Sequence, residues 1–204
     1  MVFSPKILFY QTFIDPIVSR LHDSVLNHVE PSHSVIDVAC GTGALALSLA
    51  RKARHVTGID LSEESIAAAQ RMAGRRGTDN VRFETRDAGD LSCYNSGEFD
   101  IAVTSMAVHQ FNAGIAGKIL AEMRRISHRV IIIDYNHLMP RGWRRSTAWG
   151  MEFLAGGDHY RNFKIYMKLG GVMYFARQAG IALKSQEIRG GGVFVVAVSE
   201  EVMK

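Results

Sequence analysis

Three carboxylates and a pair of glycines have the types and spacing to hold a nucleoside. Asp37 lies in the run VIDVACGTGALAL just ahead of Gly41 and Gly43, Asp60 follows in GIDLS, and Asp87 in RDAGDL. Glycines let the backbone turn tightly and let a ligand approach with no Cβ in the way, and GTGALA fits the G-x-G-x-x-G/A turn that opens a helix beneath a nucleotide. Asp60, about twenty residues beyond the turn, stands where a carboxylate accepts hydrogen bonds from two ribose hydroxyls. Asp87 is placed to accept from an adenine amino group, with the Ala88 amide beside it. Asp37 decides the charge of the ligand: a carboxylate ahead of the turn repels a pyrophosphate and attracts an ammonium. The set describes a cationic adenosyl compound that carries an α-amino group. The competing structural role for Asp60 and Asp87 is that of helix or turn caps.

These residues work together only if strands bring them to one crevice. Short apolar runs predict strands over Ser34–Val38, His55–Ile59, Val81–Arg86, Asp100–Thr104 and Val130–Asp134. Helical periods fall between most of them, at Ala44–Arg51, Glu63–Ala73 and Ala113–Ile126, while 87–99 reads mostly as loop. Alternating strands and helices predict a parallel sheet covered on both faces, with ligands bound at the carboxyl ends of the strands. The rhythm breaks at the end. Strands over Leu183–Ile188 and Val193–Val198 are separated only by Arg189, Gly190, Gly191 and Gly192, too few residues for a parallel crossover, so an antiparallel hairpin is expected. A broken helical lead-in, Lys6 to His28 with Pro16 inside it, forms an N-terminal cap over residues 1–30.

At 204 residues the chain suits one domain, 1–204, with a full core. Hydrophobic residues at 47% and charged residues at 22% match an ordinary globular composition. A net charge of +4 does not by itself argue for a nucleic-acid partner. Cys40 and Cys93 offer neither a disulfide framework nor metal-ligand spacing, which makes a reducing, cytoplasmic setting the expectation. The opening MVFSPKILFYQTFIDP lacks the pattern of a secretory leader, and no apolar run reaches the length of a membrane span.

The segments DVACGTGALAL, GIDLS, RDAGDL and FDIAVTSMAVHQF, in this order and spacing, resemble the successive motifs of class I S-adenosylmethionine-dependent methyltransferases. The resemblance covers about Tyr10 to Asp134, and within the family the chain looks most like small-molecule enzymes of the kind that includes quinone-ring C-methyltransferases. It implies a Rossmann-like, seven-stranded, mostly parallel α/β sheet with helices on both faces and an antiparallel C-terminal hairpin. It also implies S-adenosylmethionine as cofactor, S-adenosylhomocysteine as product, and no requirement for a metal. Carried over residue by residue, Asp37, Ala39, Gly41, Thr42 and Gly43 surround the methionine moiety, Asp60 and Leu61 the ribose, and Asp87 and Ala88 the adenine edge. Thr104, Ser105 and Met106 pass the methionyl end, and Tyr10 covers the cofactor or, equally, packs a helix.

The sulfonium makes its methyl electrophilic, so such a protein chiefly aligns an acceptor and excludes water; an oxygen or acidic carbon acceptor also benefits from a general base. His109 and His159 are the candidate catalytic residues expected to line the acceptor pocket, against a structural reading in which His109 is bonded to a loop. Residues 138–171 form an inserted segment where a substrate lid is expected, with Gly156–Gly157 and Gly170–Gly171 as hinges. Within it Arg141, Trp143, Arg144 and Arg145 suggest an anionic substrate or peripheral membrane contact, against a solvated basic rim with tryptophans packed on the core.

Three other classes compete. Base-amino methylation of nucleic acid is disfavoured because the position after the fourth strand reads TSMA, and carbon methylation of RNA because Cys93 lacks the context of a nucleophile. Ribose- or other RNA-directed methylation stays open. An NAD(P)-binding oxidoreductase would use the glycine turn and Asp60, but Asp37 and the closing hairpin oppose it. A non-catalytic cofactor-binding module is the third. The acceptor and the oligomeric state are left open.

Overall fold

The computed structural model describes residues 15–201. Helix α1 (Asp15–Leu26) leads into β1 (Ser34–Val38), α2 (Ala44–Leu49), β2 (His55–Asp60), α3 (Glu63–Arg76) and β3 (Val81–Thr85). Then come β4 (Phe99–Ser105), a 3-10 turn (Val108–Gln110), α4 (Ala113–Ile126) and β5 (Ser127–Tyr135). Three helices follow, α5 (Trp143–Ala155), α6 (Gly157–Leu169) and α7 (Gly171–Gln178), before β6 (Leu183–Arg189) and β7 (Phe194–Ser199). The strands form one sheet in the order β3-β2-β1-β4-β5-β7-β6, parallel from β3 to β5 and antiparallel at β5/β7 and β7/β6. This is the expected Rossmann-like α/β sheet with its terminal hairpin.

Right-handed crossovers send α2 and α3 to one face and α4 to the other, because the chain winds outward in opposite directions from the β1/β4 junction. The contacts agree: α1 packs on α2, and α4 packs on α7. Apolar runs such as Val35–Ile36 and Ile131–Ile133 are fully enclosed, as befits strands covered on both faces. Local signals fix the helix ends. Ser62 caps α3 by accepting from the Ser65 amide at 3.2 Å, Glu63 and Glu64 fill its first turn, and Gly77 ends it in the left-handed conformation.

Strand β5 begins three residues earlier than the apolar run predicts. Backbone pairing of Phe99 with Ser127 and Ile101 with Arg129 carries the ladder through polar side chains, which a hydrophobic pattern does not register. Strand β4 likewise gains Phe99 and Ser105, and α3 runs on to Arg76. The return from β3 to β4 is irregular chain, as expected, held by α4: Arg125 donates to the Leu91 carbonyl at 2.7 Å and the Tyr94 carbonyl at 2.9 Å, while Glu122 accepts from the Leu91 amide at 3.2 Å. The β6–β7 turn holds Gly190, Gly191 and Gly192 at φ +60, +65 and +96, a run that only glycine makes without strain. The first part of the lead-in, with Tyr10, lies outside the described residues. Among the described residues no helix is long and apolar enough to cross a membrane.

Candidate functional site

A cleft of about 640 Å³ opens at the carboxyl ends of β1, β2, β3 and β4, at the junction where the strand order reverses. Its wall is built from the turn after each strand. Of the residues expected at a cofactor, Asp37, Ala39, Gly41, Thr42, Asp60, Leu61, Asp87, Ala88, Ser105 and Met106 line it. Two do not. Gly43 lies beneath the turn at φ +80, where an added Cβ would fall 2.7 Å from the Phe83 ring and 2.9 Å from the Ala69 Cβ. Its absent side chain serves helix–sheet packing instead of ligand approach. Thr104 is buried in the sheet and does not line the cleft. At Gly41, φ +54, an added Cβ would meet nothing within 4 Å, so this is the glycine that keeps the cleft open.

Asp37 is 1% exposed, and neither carboxylate oxygen has a hydrogen-bond partner among the described residues. Burial pushes its pKa up to about 8. The Ala46 amide, which falls short of hydrogen-bond geometry, draws it partly back, and the Asp60 carboxylate adds to the rise. A buried, unpartnered carboxylate on the floor of a cleft is costly unless a cationic donor meets it. Asp60 is organised differently: one oxygen accepts from the Gly41 amide at 2.8 Å and the other from the Ser62 amide at 2.9 Å. The carboxylate therefore ties the glycine turn to β2 and still has lone pairs for two more donors. Asp87 accepts from the Gly89 amide at 2.8 Å, so it shapes its turn and lines the cleft at once. Beside them Leu61, an apolar side chain on the cleft wall, is 72% exposed.

Two non-glycine residues at the strand ends take positive φ, Ala39 at +58 and Met106 at +56. Both line the cleft, and such strain persists only where the surroundings enforce it. At Met106 the enforcement is visible: its amide donates to the Ile133 carbonyl at 2.8 Å, and its carbonyl accepts from Gln110 Nε2 at 2.6 Å.

The cleft also holds residues that the sequence reading did not single out. His22 of α1 lines it, and burial lowers its pKa to about 4, leaving a neutral imidazole. Gln110, Phe111, Ile115 and Ile119 supply the wall on the α4 side. The signal for them lay in the Asn112 cap, which accepts from the Gly114 amide at 3.0 Å and starts α4 at the mouth of the cleft. Cys40 also lines the cleft, its thiol pKa pushed up by burial and by Asp37, so it is a packed thiol and not a nucleophile.

The two candidate catalytic histidines are brought together, behind the cleft and not among the residues that line it. His109 is 1% exposed, and its Nδ1 lies 2.6 Å from Asp134 Oδ1 while its backbone amide donates to Asp134 Oδ2 at 3.1 Å. Its Nε2 is 3.6 Å from Glu152, whose other oxygen is 2.5 Å from His159 Nε2. Burial disfavours the imidazolium of His109, but the Asp134 and Glu152 carboxylates outweigh it and raise the pKa to about 10. The 3-10 turn points Gln110 toward the cleft and His109 into the packing against α5 and α6. Of the basic segment, Trp149 packs on Phe163 with ring centroids 5.0 Å apart, whereas Trp143 is 71% exposed beneath the Arg144 guanidinium.

Residues 35–129 match the family described as Methyltransferase domain. A ubiquinone biosynthesis O-methyltransferase of Albidiferax ferrireducens is 39% identical over 83 residues, covering 40% of this chain and 32% of that protein. A 23S rRNA (uracil(1939)-C(5))-methyltransferase of Photobacterium angustum is 24% identical over 186 residues, covering 82% of this chain and 80% of that protein. The chain spans a third or less of the length of the first curated relatives it matches. The crystal structure of the PH0226 protein from Pyrococcus horikoshii OT3 superposes with a TM-score of 0.71 over 95% of this chain and 98% of that one, at 17% identity. The sheet topology and the superposition show the fold, and the methyltransferase-domain match falls on the segment, 35–129, that carries the turns after β1 to β4.

Proposed function

We propose that this protein transfers the methyl group of S-adenosylmethionine to oxygen or carbon of a small, partly apolar acceptor. The observation that carries the reading is Asp37, a buried carboxylate with no partner on the floor of the cleft. An α-ammonium satisfies it; a pyrophosphate would meet it as a like charge. Asp60 keeps lone pairs for two ribose hydroxyls, Asp87 and Ala88 edge the adenine, and Leu61 covers its face. Ala39, Gly41, Thr42, Ser105 and Met106 enclose the methionyl end.

When bound, S-adenosylmethionine supplies an electrophilic methyl on sulfur. The chain's own residues orient and exclude water. Met106, held at positive φ, and Phe111 and Ile115 form an apolar side wall suited to an acceptor with apolar surface. The similarity to a ubiquinone biosynthesis O-methyltransferase supports the same substrate class. Leu138, 74% exposed, and Trp143, beside Arg141 and Arg144, support the expectation that the inserted segment touches an anionic membrane surface, where apolar acceptors dissolve.

RNA is the second reading, favoured by the long alignment to a ribosomal RNA methyltransferase. Carbon methylation by a cysteine nucleophile does not suit the geometry, since Cys93 is exposed on the loop between β3 and β4 and does not line the cleft. Ribose methylation is the form of it that the site permits. One experiment separates the readings: calorimetric titration with S-adenosylmethionine, S-adenosylhomocysteine and NAD+, followed by transfer of labelled methyl into a quinone and phenol panel or into RNA. Binding of the sulfur nucleosides with label in the organic fraction is expected. Label in RNA would establish the second reading, and tight NAD+ binding would overturn both.

A further inference from the structure

Behind the cleft, Asp134, His109, Glu152 and His159 form a chain of ionisable groups, none of them among the residues that line it. Asp134 is completely buried, Glu152 is 6% exposed, and among the described residues the ion-pair partners of both are histidines. Acidic side chains enclosed this deeply call for a positive partner, and a divalent cation is one that this cluster can hold.

The arrangement has the features of a metal centre. One ligand atom each from His109, Glu152 and His159 lies within 4.8 Å of the others. The 3.6 Å between His109 Nε2 and Glu152 Oε1 is close to the separation of about 3.4 Å between ligands spaced tetrahedrally at about 2.1 Å around zinc. The 2.5 Å between Glu152 and His159 is the spacing of a shared proton and would open by about 1 Å around an ion. Asp134 holds Nδ1 of His109, which fixes the tautomer that presents Nε2, the outer carboxylate that histidine metal ligands commonly carry. The Tyr135 hydroxyl donates to Glu152 at 2.8 Å and orients it in the same way. The Phe163 ring packs edge-on against His109, centroids 6.0 Å apart, and Trp149 packs on Phe163 in turn.

We propose that His109, Glu152 and His159 form a binding site for one divalent transition ion of borderline softness, such as Zn2+, with a fourth position open toward the partly exposed side of His159. Two imidazoles and one carboxylate are the donor set that such ions prefer. The role that the ligands' places in the chain give the ion is to fasten the inserted segment. Its ligands come from the 3-10 turn, α5 and α6, and Asn162 of α6 donates to the carbonyl of the cleft residue Gln110 at 2.8 Å. Occupancy therefore stiffens the wall beside the acceptor.

The test is titration of the full, chelator-stripped protein with Co2+, followed by visible d–d absorption, and with Zn2+, followed by the thermal midpoint. The expected result is one equivalent bound with an intense tetrahedral spectrum and a raised midpoint. Glu152→Gln and His159→Gln should each weaken binding at least about 100-fold, and Asp134→Asn about 10- to 100-fold. His159 sits 17% exposed, so its variant folds even if changes at the buried positions do not. Absence of an equivalent of tight metal, or binding that survives both Glu152→Gln and His159→Gln, would overturn the site. S-adenosylhomocysteine affinity measured on the same samples keeps that outcome separate from the methyltransferase reading.

Discussion

Replacing Asp37 with Asn separates stability from binding in a way that a merely structural aspartate would not. Folding raises the pKa of this carboxyl to about 8, so the sign is unusual for an acid: the native state holds the proton more tightly than the unfolded chain. Its contribution is fully present below the ordinary carboxylate range and is lost as pH rises toward 8. At about 1.4 kcal/mol per pH unit the ceiling on that loss is about 6 kcal/mol. A carboxylate on the floor of a cleft that admits water realises a fraction, about 2–3 kcal/mol. Asp37→Asn should therefore stabilise the ligand-free protein at pH 8, read as a higher urea midpoint, and abolish most of the fall in stability between pH 5 and 8. Binding should move the other way. Loss of a charge-assisted hydrogen bond of about 1.5–3 kcal/mol weakens S-adenosylhomocysteine about 10- to 150-fold at pH 8. In the wild type, where the ammonium must first expel the proton, calorimetric affinity should rise up to about tenfold per pH unit from pH 5 to 7. A variant that is less stable at pH 8 and binds the ligand unchanged would refute the electrostatic argument.

Asp60→Ala should weaken S-adenosylhomocysteine by about 1–3 kcal/mol through lost ribose hydrogen bonds and a loosened Gly41, and unchanged calorimetric affinity would remove the ribose assignment. Gly43→Ala drives a Cβ into Phe83 at a positive φ; a loss of about 1–3 kcal/mol in denaturant unfolding is expected, and a variant as stable as wild type would show that the turn adapts. Cys93→Ser should leave turnover intact, whereas its abolition would revive a cysteine nucleophile. Trp143→Ala combined with Arg144→Glu should reduce co-sedimentation with anionic vesicles severalfold, and equal sedimentation would exclude this face from membrane contact.

The sheet could be read from the chain because a buried parallel sheet writes itself as short apolar runs between helical periods, and four successive motifs fix where the strands end. β1 was predicted to the residue, whereas β5 was shortened at its polar start because backbone pairing with β4 carries no side-chain signature. Ten cofactor-side residues proved to share one cleft, since each follows a strand and the strands are parallel. Gly43 was read as a ligand glycine because a sequence does not say which side of a turn the missing Cβ would occupy; Phe83, forty residues on, occupies it.

The position of the histidines was illegible for a related reason. Turn residues 109 and 110 face opposite ways, and only the packing of α5 and α6 decides which one meets the cleft. Glu152 was invisible as a partner because its distance from His109 along the chain bears no relation to their 3.6 Å contact. His22 escaped notice for the same cause, since the fold of α1 over the cleft has no mark in the pattern of α1 itself.

A crystal structure with S-adenosylhomocysteine bound tests the central claim most directly. The ligand's amine should lie about 3 Å from a carboxylate oxygen of Asp37, with both ribose hydroxyls on Asp60. An amine directed elsewhere with Asp37 still unpartnered, or a dinucleotide pyrophosphate seated over Gly41 to Gly43, would contradict it.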